Sequence, residues 1–357
     1  MKILVVAPSL RLGGLENSVS TMTSWLADAG HSLTLVLCYR GERFYELNDK
    51  IDVVEPGFSL SARGKVYFYL SWIRFVRHVI KSKRPDVILS YGDYHNSLVK
   101  LSSSFLQVPV VVTDRASPGL KFPLYMRLIR SLTYPKCSGV IAQTQRAALV
   151  KKELLKKGVK VKIIPNPVRS FEPSQKVDRK KVVLAVARHY HVKGLDRLIK
   201  AFSRLDAPEW ELHIAGSLGP ETQKLEKMVQ GLGLSDRTKF LGSVSNMGLL
   251  YSSASVFVLP SRSEGFPNAL IEAMSLGCPS IAFDINAGPS EIIQHGENGL
   301  IVEDGDIQEM SNAILQLIDN EGLRLSMGHN ASKLSNDLNL KSIGEKYENF
   351  LKSFVVN

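Results

Sequence analysis

Cysteine is scarce in this sequence, and no long hydrophobic run occurs. The 357 residues include three cysteines, Cys38, Cys137 and Cys278, which are scattered and lack the spacing of a metal site. An odd number of scattered cysteines indicates a reducing compartment and buried thiols. No segment approaches the roughly 20 apolar residues that span a bilayer, and the apolar start, residues 1–8, is too short for a signal-peptide core. We therefore expect a protein that is cytosolic or attached to a membrane surface.

Acidic residues are outnumbered, since 34 Asp and Glu stand against 45 Lys and Arg, and the formal net charge is +11. Such an excess indicates an anionic partner, such as nucleic acid, anionic lipid or a phosphorylated substrate. The sequence has no zinc-finger spacing and no aromatic RNA-binding signature, so we expect no nucleic-acid partner. It also has no apparent cluster of carboxylates for a metal.

Short apolar strands alternate with helices, and the alternation restarts in the second half of the chain. The length suits two domains, and an apolar content of 44% suffices for packed cores. The polar segment 169–181 is predicted to be the linker. Strands are predicted at 3–7, 33–37, 86–90, 108–113, 139–142 and 161–164, and again at 182–187, 212–215, 239–241, 256–259, 280–283 and 300–302. This order predicts a doubly wound parallel sheet in each half.

The stretch from Glu264 to Gly277 indicates a turn that opens directly into a helix. Pro267 suits the first helical position and Gly277 suits the end. The unpaired N–H groups of a helix N-terminus can hold a phosphate. Glu264 precedes this helix and Glu272 lies inside it, and carboxylates repel a phosphate but accept hydrogen bonds from hydroxyls. The pattern therefore predicts a ligand with a sugar on each side of a pyrophosphate.

Glycines and polar residues follow the strands of the first half. Gly13 and Gly14 let a ligand approach the backbone closely or simply form a tight turn, and the third glycine of a dinucleotide fingerprint is missing. His95 follows the third predicted strand, and Asp114 and Arg115 follow the fourth. Because ligands bind beyond the carboxyl ends of parallel strands, we expect these five residues to share a rim. A lone histidine after a strand is, however, more often structural.

Residues 63–84 combine aromatic, aliphatic and basic side chains at helical spacing. The apolar side chains can pack or insert into a membrane, namely Tyr67, Trp72, Phe75 and Ile80. The basic residues stay charged, which suits an anionic membrane surface. The same pattern fits a core-facing helix with a basic outer face, so both interpretations stay open. A second basic, aromatic stretch at 121–130 favours the membrane interpretation.

Two glutamates eight residues apart, as Glu264 and Glu272 are, resemble the paired-glutamate motif of the retaining glycosyltransferases of family 4. Further similar motifs follow in the expected order, namely Gly13-Gly14-Leu15-Glu16, Arg188 with Lys193-Gly194, Gly288-Pro289-Ser290-Glu291-Ile292-Ile293 and Asn298-Gly299-Leu300-Ile301-Val302. The resemblance implies an α/β protein with two Rossmann-like domains that face each other across a cleft (GT-B). It implies an N-terminal acceptor-binding domain (1–168), a C-terminal nucleotide-sugar-binding domain (169–339) and a C-terminal helix (340–357) that returns to the N-terminal domain.

The resemblance also assigns roles to residues. It implies that Glu264 holds the donor sugar and that Glu272 binds the ribose hydroxyls. Arg188 and Lys193 stabilise the leaving diphosphate, so that no metal and no cofactor is expected. The implied nucleotide-sugar-binding residues are Gly13, Gly14, Arg188, Lys193, Gly216, Val244, Glu264, Gly265, Phe266, Pro267, Asn268, Ala269 and Glu272. Glu291 either contacts the ligand or stabilises the start of its own helix.

The chain departs from the family after the strand that is predicted to end at Thr113. Family members often carry a histidine there, whereas this chain has Asp114 and Arg115. The departure resembles a subgroup that transfers hexoses or hexosamines to lipid-pyrophosphate-linked sugars of bacterial envelope polysaccharides. By this resemblance, Asp114 or Arg115 orients the acceptor or the donor. No nucleophile is predicted, because the leaving phosphate can accept the acceptor's proton in a front-face displacement.

The expected function is transfer of a hexose or N-acetylhexosamine from a UDP-sugar to a lipid-linked saccharide at the inner face of the cytoplasmic membrane. Two alternatives stay open. A sugar phosphorylase with the same fold would need a lysine for pyridoxal phosphate, and no motif for one is evident. A non-catalytic nucleotide-sugar-binding protein is disfavoured by the intact set of Arg188, Lys193, Glu264 and Glu272.

Overall fold

The computed structural model describes residues 1–11, 13–58, 64–155, 158–171, 177–286 and 288–355. The chain divides into two compact units, which we call the N-terminal unit (Met1–Pro167 with Leu340–Asn357) and the C-terminal unit (Val168–Asn339). The division falls one residue before the expected boundary at 168. Each unit contains a parallel sheet flanked by helices, which confirms the expected fold class of two Rossmann-like domains.

The N-terminal unit is built on a seven-stranded sheet. Its strands are β1 (Lys2–Ala7), β2 (Ser32–Leu37), β3 (Asp52–Val54), β4 (Val87–Tyr91), β5 (Val110–Asp114), β6 (Gly139–Ala142) and β7 (Lys160–Ile163). Its first five helices are α1 (Gly14–Asp28), α2 (Gly64–Lys83), α3 (Asn96–Ser102), α4 (Leu124–Thr133) and α5 (Gln145–Lys152). The strand order is β3-β2-β1-β4-β5-β6-β7, and the short edge strand β3 was not predicted.

The C-terminal unit is built on a six-stranded sheet. Its strands are β8 (Lys180–Val186), β9 (Glu211–Ala215), β10 (Thr238–Gly242), β11 (Ala254–Leu259), β12 (Ser280–Asp284) and β13 (Leu300–Glu303). Its helices are α6 (Leu195–Phe202), α7 (Thr222–Gly231), α8 (Met247–Ser253), α9 (Asn268–Ser275), α10 (Pro289–Ile292), α11 (Ile307–Asp319), α12 (Glu321–Ser332) and α13 (Leu334–Asp337). The strand order is β10-β9-β8-β11-β12-β13, so the direction of winding reverses between β8 and β11.

Strand β11 shows why its sequence reads as a continuous apolar run. All six of its residues are buried. Val256 and Val258 pack against one layer of helices, which includes Ile314 of α11. Phe257 and Leu259 pack on the opposite face, against residues such as Met274 of α9. Because successive side chains point to opposite faces, a parallel strand covered on both sides needs no polar alternation.

The last helix, α14 (Leu340–Lys352), belongs to the N-terminal unit, where it packs on α1. Gly344 lies against the indole of Trp25, and a Cβ on this glycine would be 2.3 Å from an indole carbon. The ring of His31 contacts the Glu348 carboxylate at 2.8 Å. The three cysteines are free and buried, which confirms that expectation. Within the described ranges, no helix combines the length and apolarity that crossing a bilayer requires.

Helix α2 covers the basic segment that was considered for membrane insertion, of which residue 63 lies outside the described residues. Trp72 and Ile80 are buried in the core of the N-terminal unit, against strand residues such as Ile88. Tyr67, near the start of the helix, is exposed. Because Trp72 and Ile80 contribute to the core, the structure favours the core-facing interpretation for this part of α2. Like Tyr67, Val66 and Leu70 near its start are exposed, so the membrane interpretation stays open for that end.

Candidate functional site

Two loops of the C-terminal unit meet where the strand order reverses, which is where open α/β sheets bind ligands. Residues 187–194 follow β8, and residues 260–267 follow β11. Gly194 has a φ of +65°, and a Cβ there would lie 1.9 Å from the carbonyl oxygen of Pro260. The Arg262 N–H donates to the Val192 carbonyl at 2.8 Å. Only a glycine at position 194 lets the first loop approach Pro260 this closely, so this residue sets the distance between the two loops.

These loops bring together two of the predicted site residues, Lys193 and Glu264. The Lys193 ammonium lies 2.7 and 2.8 Å from the two carboxylate oxygens of Glu264. The buried Ser261 hydroxyl donates to the same carboxylate at 2.6 Å. An ammonium has three N–H donors, so two hydrogen bonds to Glu264 leave one for a phosphate oxygen. The arrangement can hold an anion and a sugar hydroxyl side by side.

Helix α9 starts one residue later than the sequence predicted. Pro267 is its N-cap residue rather than its first helical residue, and Asn268 begins the helix. Gly277, with a φ of +70°, follows the C-cap residue as expected. Glu272 lies on the second turn of α9, and burial raises the pKa of its carboxyl group, while a hydrogen bond from Tyr251 acts in the opposite direction. Both predicted glutamates therefore lie near the start of one helix.

The structure adds two residues that sequence reasoning missed. Tyr251, on α8, is fully buried, and its hydroxyl donates to Glu272 at 2.9 Å. Ser261 holds Glu264, as described above. A serine three residues before a candidate carboxylate is a local signal that could have been found. The contact between Tyr251 and Glu272 has no such signal, because it depends on how α8 packs against α9.

The loops that carry Gly216 and Val244, which the family resemblance assigns to the nucleotide base, lie at the carboxyl ends of β9 and β10, and Arg188 lies just beyond the end of β8. Gly216 has a φ of +142°, and a Cβ there would lie 2.0 Å from the Ala187 carbonyl oxygen. The Gly216 N–H donates to the Gly242 carbonyl at 2.8 Å, and Val244 is half-buried two residues beyond. Arg188 is exposed, with its guanidinium 5.1 Å from the ring centroid of Tyr190. Arg188 is therefore available to an anion at this edge.

In the N-terminal unit, Gly13 and His95 follow β1 and β4, the two strands between which its order reverses. Gly13 has an extended backbone that any residue adopts, and its carbonyl accepts a hydrogen bond from Tyr45 at 3.0 Å. Gly14 begins α1 and is exposed. The His95 ring lies 3.3 Å from the Tyr39 hydroxyl, and burial lowers its pKa to about 4. A neutral, packed ring favours the structural interpretation of His95.

Asp114 is buried in a network of charged and polar side chains, which favours a structural role for it over contact with a substrate. One carboxylate oxygen accepts hydrogen bonds from Asn96 at 2.8 Å and Tyr134 at 2.7 Å. The other lies 3.1 Å from Arg130 and 2.5 Å from Lys151. Although burial opposes ionisation, these two cations lower the pKa of Asp114. Because all four of these partners belong to the N-terminal unit, Asp114 organises that unit, and a role toward a substrate stays a prediction.

Arg115 is half-buried and ties distant parts of the N-terminal unit together. Its guanidinium donates to Asn166 and, at 2.6 Å, to the Tyr347 hydroxyl on α14. These contacts favour a positioning role, and an orienting role toward substrate stays a prediction. Glu291 is exposed in the four-residue helix α10, which leaves both of its expected roles open. Among the described residues, no three His, Cys, Asp or Glu side chains come together as metal ligands.

Two family models match consecutive parts of the chain. The model described as Glycosyltransferase Family 4 matches residues 12–170. The model described as Glycosyl transferases group 1 matches residues 169–334. Since the two matches together span most of the chain, the protein belongs to the family 4 glycosyltransferases and is a glycosyltransferase of the GT-B fold.

Full-length relatives and a solved structure agree with this assignment. The chain is 26% identical to an α-1,4-N-acetyl-D-galactosaminyltransferase of Campylobacter jejuni, over 97% of both chains. The name of that relative gives a diphospho-undecaprenol-linked saccharide as its substrate. It is 26% identical to the amylovoran biosynthesis glycosyltransferase AmsD of Erwinia amylovora, over 98% of this chain and 99% of AmsD. The structure of Anabaena Alr3699/HepE with UDP and glucose superposes with a TM-score of 0.83 at 21% identity, over 99% of this chain and 100% of the other, and shares the fold.

Proposed function

We propose that this glycosyltransferase is a retaining enzyme that moves a hexose or N-acetylhexosamine from a UDP-sugar to a lipid-linked saccharide in bacterial envelope polysaccharide synthesis. The observation that carries the proposal is the contact of Lys193 with Glu264 at the ligand-binding edge of the C-terminal sheet. The named activities of the Campylobacter and Erwinia relatives support the acceptor class and the pathway class. The UDP complex of the Anabaena protein supports the donor class.

The donor's groups have matching partners in the C-terminal unit. The diphosphate takes the remaining N–H of Lys193, the exposed guanidinium of Arg188 and the N-terminal end of α9. A sugar hydroxyl donates to Glu264, which Ser261 holds in place. The ribose hydroxyls donate to Glu272. The backbone of residues 265–269 and the loops at Gly216 and Val244 complete the donor site, and the N-terminal unit binds the acceptor.

The reaction that fits these groups is a front-face displacement. The bond between the anomeric carbon and the UDP phosphate oxygen breaks, and the acceptor oxygen bonds to the same face of that carbon. The acceptor's proton passes to the departing phosphate oxygen, so atoms and charges balance without a protein nucleophile. Arg188 and Lys193 stabilise the negative charge that grows on the diphosphate, which is the role a metal takes elsewhere. We therefore propose transfer without a metal.

The proposal is tested by incubating the protein with a panel of UDP-sugars and a lipid-pyrophosphate-linked saccharide. We expect transfer that persists in EDTA and a product whose anomeric configuration, determined by NMR, matches the donor. Absence of both transfer and donor hydrolysis across the panel would contradict the function. An inverted product would contradict the retaining mechanism alone, and loss of activity in EDTA would contradict metal independence alone.

Variants of the ion pair test the site itself. Lys193→Met and Glu264→Gln should each lower kcat by about 10²–10³-fold, as loss of a preorganised charged group does. The double variant should lose less than the product of the two, because the residues contact each other. Lys239→Met is a matched control, since Lys239 contacts both oxygens of Glu211 at 2.9 and 2.8 Å on the exposed surface of the same unit. Equal losses in Lys239→Met and Lys193→Met would refute the assignment.

A further inference from the structure

Helix α4 of the N-terminal unit carries most of its apolar side chains outward and a buried charge inward. The outward residues are Leu124, Tyr125, Leu128 and Leu132, with exposed fractions of 79%, 63%, 62% and 60%. The inward residues are Met126, Arg130 and Thr133, all of which are buried. An ordinary surface helix has the opposite arrangement, with its apolar stripe toward the core. The exposed face of α4 is therefore an apolar surface in contact with solvent.

Buried polar contacts fix α4 in this orientation. The Arg130 guanidinium donates to the Asp93 carbonyl at 2.8 Å and to Asp114 at 3.1 Å. It also lies 4.2 Å from the ring centroid of Tyr134. The Thr133 hydroxyl, one turn further, lies 3.0 Å from that of Ser97 on α3. Rolling the helix to bury its leucines would remove Arg130 from these partners, which is costly for a buried charge. The outward leucines are thus a fixed feature of the fold.

Positive charge surrounds this apolar surface. From Arg115 to Lys152 the sequence contains eight Arg and Lys and no Asp or Glu, although two of the eight, Arg130 and Lys151, are buried in ion pairs with Asp114. Lys121, just before α4, and Arg127, on α4, are exposed. A groove of about 810 Å³ runs beside the helix and is lined by residues that include Leu128, Val150 and Leu154. Apolar side chains bordered by the exposed cations Lys121 and Arg127 match the acyl region and the phosphates of an anionic bilayer.

We propose that the α4 face, formed by Leu124, Tyr125, Leu128, Leu132, Lys121 and Arg127, docks the protein on an anionic lipid bilayer. The proposal deepens the proposed function, because it names the surface that brings the enzyme to a lipid-linked acceptor. The helix lies in the plane of the interface, with its leucines below the headgroups and Lys121 and Arg127 at the phosphates. It places the membrane contact on α4, whose leucines are exposed, whereas Trp72 and Ile80 of α2 belong to the core.

The test is co-sedimentation of the full chain with sucrose-loaded vesicles of phosphatidylcholine, with or without phosphatidylglycerol. The wild type should bind the anionic vesicles, and added salt should weaken the binding. Replacing Leu124, Leu128 and Leu132 together by Gln should lower the partition coefficient by about a hundredfold. Arg127→Gln should lower binding to anionic vesicles by about fivefold, without changing binding to neutral ones. Gln preserves helix propensity, so the helix should stay folded.

The matched control is Leu325→Gln on α12 of the C-terminal unit, since Leu325 is 62% exposed, as Leu128 is. It should bind vesicles as the wild type does, whereas Leu128→Gln should bind more weakly. Equal binding of the triple variant and the wild type would overturn the proposal. Leucine-dependent dimers in sedimentation without lipid would instead identify a second copy of the chain as the partner.

Donor hydrolysis in solution separates this proposal from the proposed function. If the triple variant keeps wild-type hydrolysis of a UDP-sugar but loses vesicle binding, the α4 face serves docking alone, as proposed. If the wild type binds vesicles but neither transfers nor hydrolyses any donor, docking stands and the proposed function falls. If transfer occurs while vesicles are never bound at low salt, the docking proposal falls alone.

Discussion

Tyr251→Phe removes one hydroxyl and tests whether Glu272 is held in place for a ribose. The Tyr251 hydroxyl donates to Glu272 at 2.9 Å, and the tyrosine is fully buried. A hydrogen bond to a charged group contributes about 1.5–3 kcal/mol. Since the phenyl ring still fills the same space, we expect unfolding free energy to fall by about 1–2 kcal/mol. Without the hydrogen bond from Tyr251, the Glu272 carboxylate is held less firmly and should also bind the nucleotide less well.

The affinity loss should depend on the ribose hydroxyls. We expect the Kd for UDP, measured by calorimetry, to rise by about tenfold, which corresponds to about 1.4 kcal/mol. With 2′,3′-dideoxy-UDP the wild type should already bind more weakly, and Tyr251→Phe should add little. This pattern follows because a carboxylate without a hydroxyl partner gains nothing from being held in place.

Tyr134→Phe is the matched control for this experiment. Tyr134 is also fully buried, and its hydroxyl donates to Asp114 at 2.7 Å in the N-terminal unit. It should lose a similar amount of stability and keep the wild-type affinity for UDP. The reasoning would be refuted if Tyr251→Phe bound UDP as tightly as the wild type, or if it lost affinity equally for UDP and its dideoxy analogue.

Two further predictions concern glycine and histidine positions. In chemical denaturation, Gly194→Ala should destabilise the protein by about 1–3 kcal/mol more than Gly233→Ala. Both glycines have φ near +65°, but only a Cβ at position 194 would clash with Pro260. Equal losses of stability would contradict the close contact of the two loops. The His95 ring should titrate by NMR near pH 4 instead of the ordinary 6.5. Because the pKa of His95 is depressed in the folded state, its contribution to folding stability is complete above pH 6.5 and is lost as pH falls toward 4. A titration midpoint of the ring above pH 6 would show that the ring is hydrated.

The sequence predicted the alternation of strands and helices well, because parallel strands covered on both faces read as short apolar runs. β11 and β12 begin and end within two residues of their expected positions. The edge strand β3 was missed, since an edge strand of three residues needs little apolar character. The start of α9 was misplaced by one residue, because proline suits the N-cap region as well as the first turn.

The contacts between side chains were the part that the sequence could not supply. Lys193 and Glu264 were both predicted in the donor site, yet their direct contact spans 71 residues of sequence. Asp114 looked like a ligand-binding residue at a strand end, and only the folded chain shows that Arg130 and Lys151 neutralise it. For α4, the sequence indicated a basic, aromatic stretch, but not that the leucines face outward.

The packing of α14 on α1 has a consequence for the order in which the protein can be made. The first 167 residues leave the ribosome long before Leu340, yet Trp25 acquires its cover, Gly344, only with the last helix. The C-terminal unit is contiguous and can finish folding first. The nascent N-terminal unit therefore waits, with an indole uncovered, until α14 has been synthesised, and a single proteolytic cut cannot release it as a complete domain.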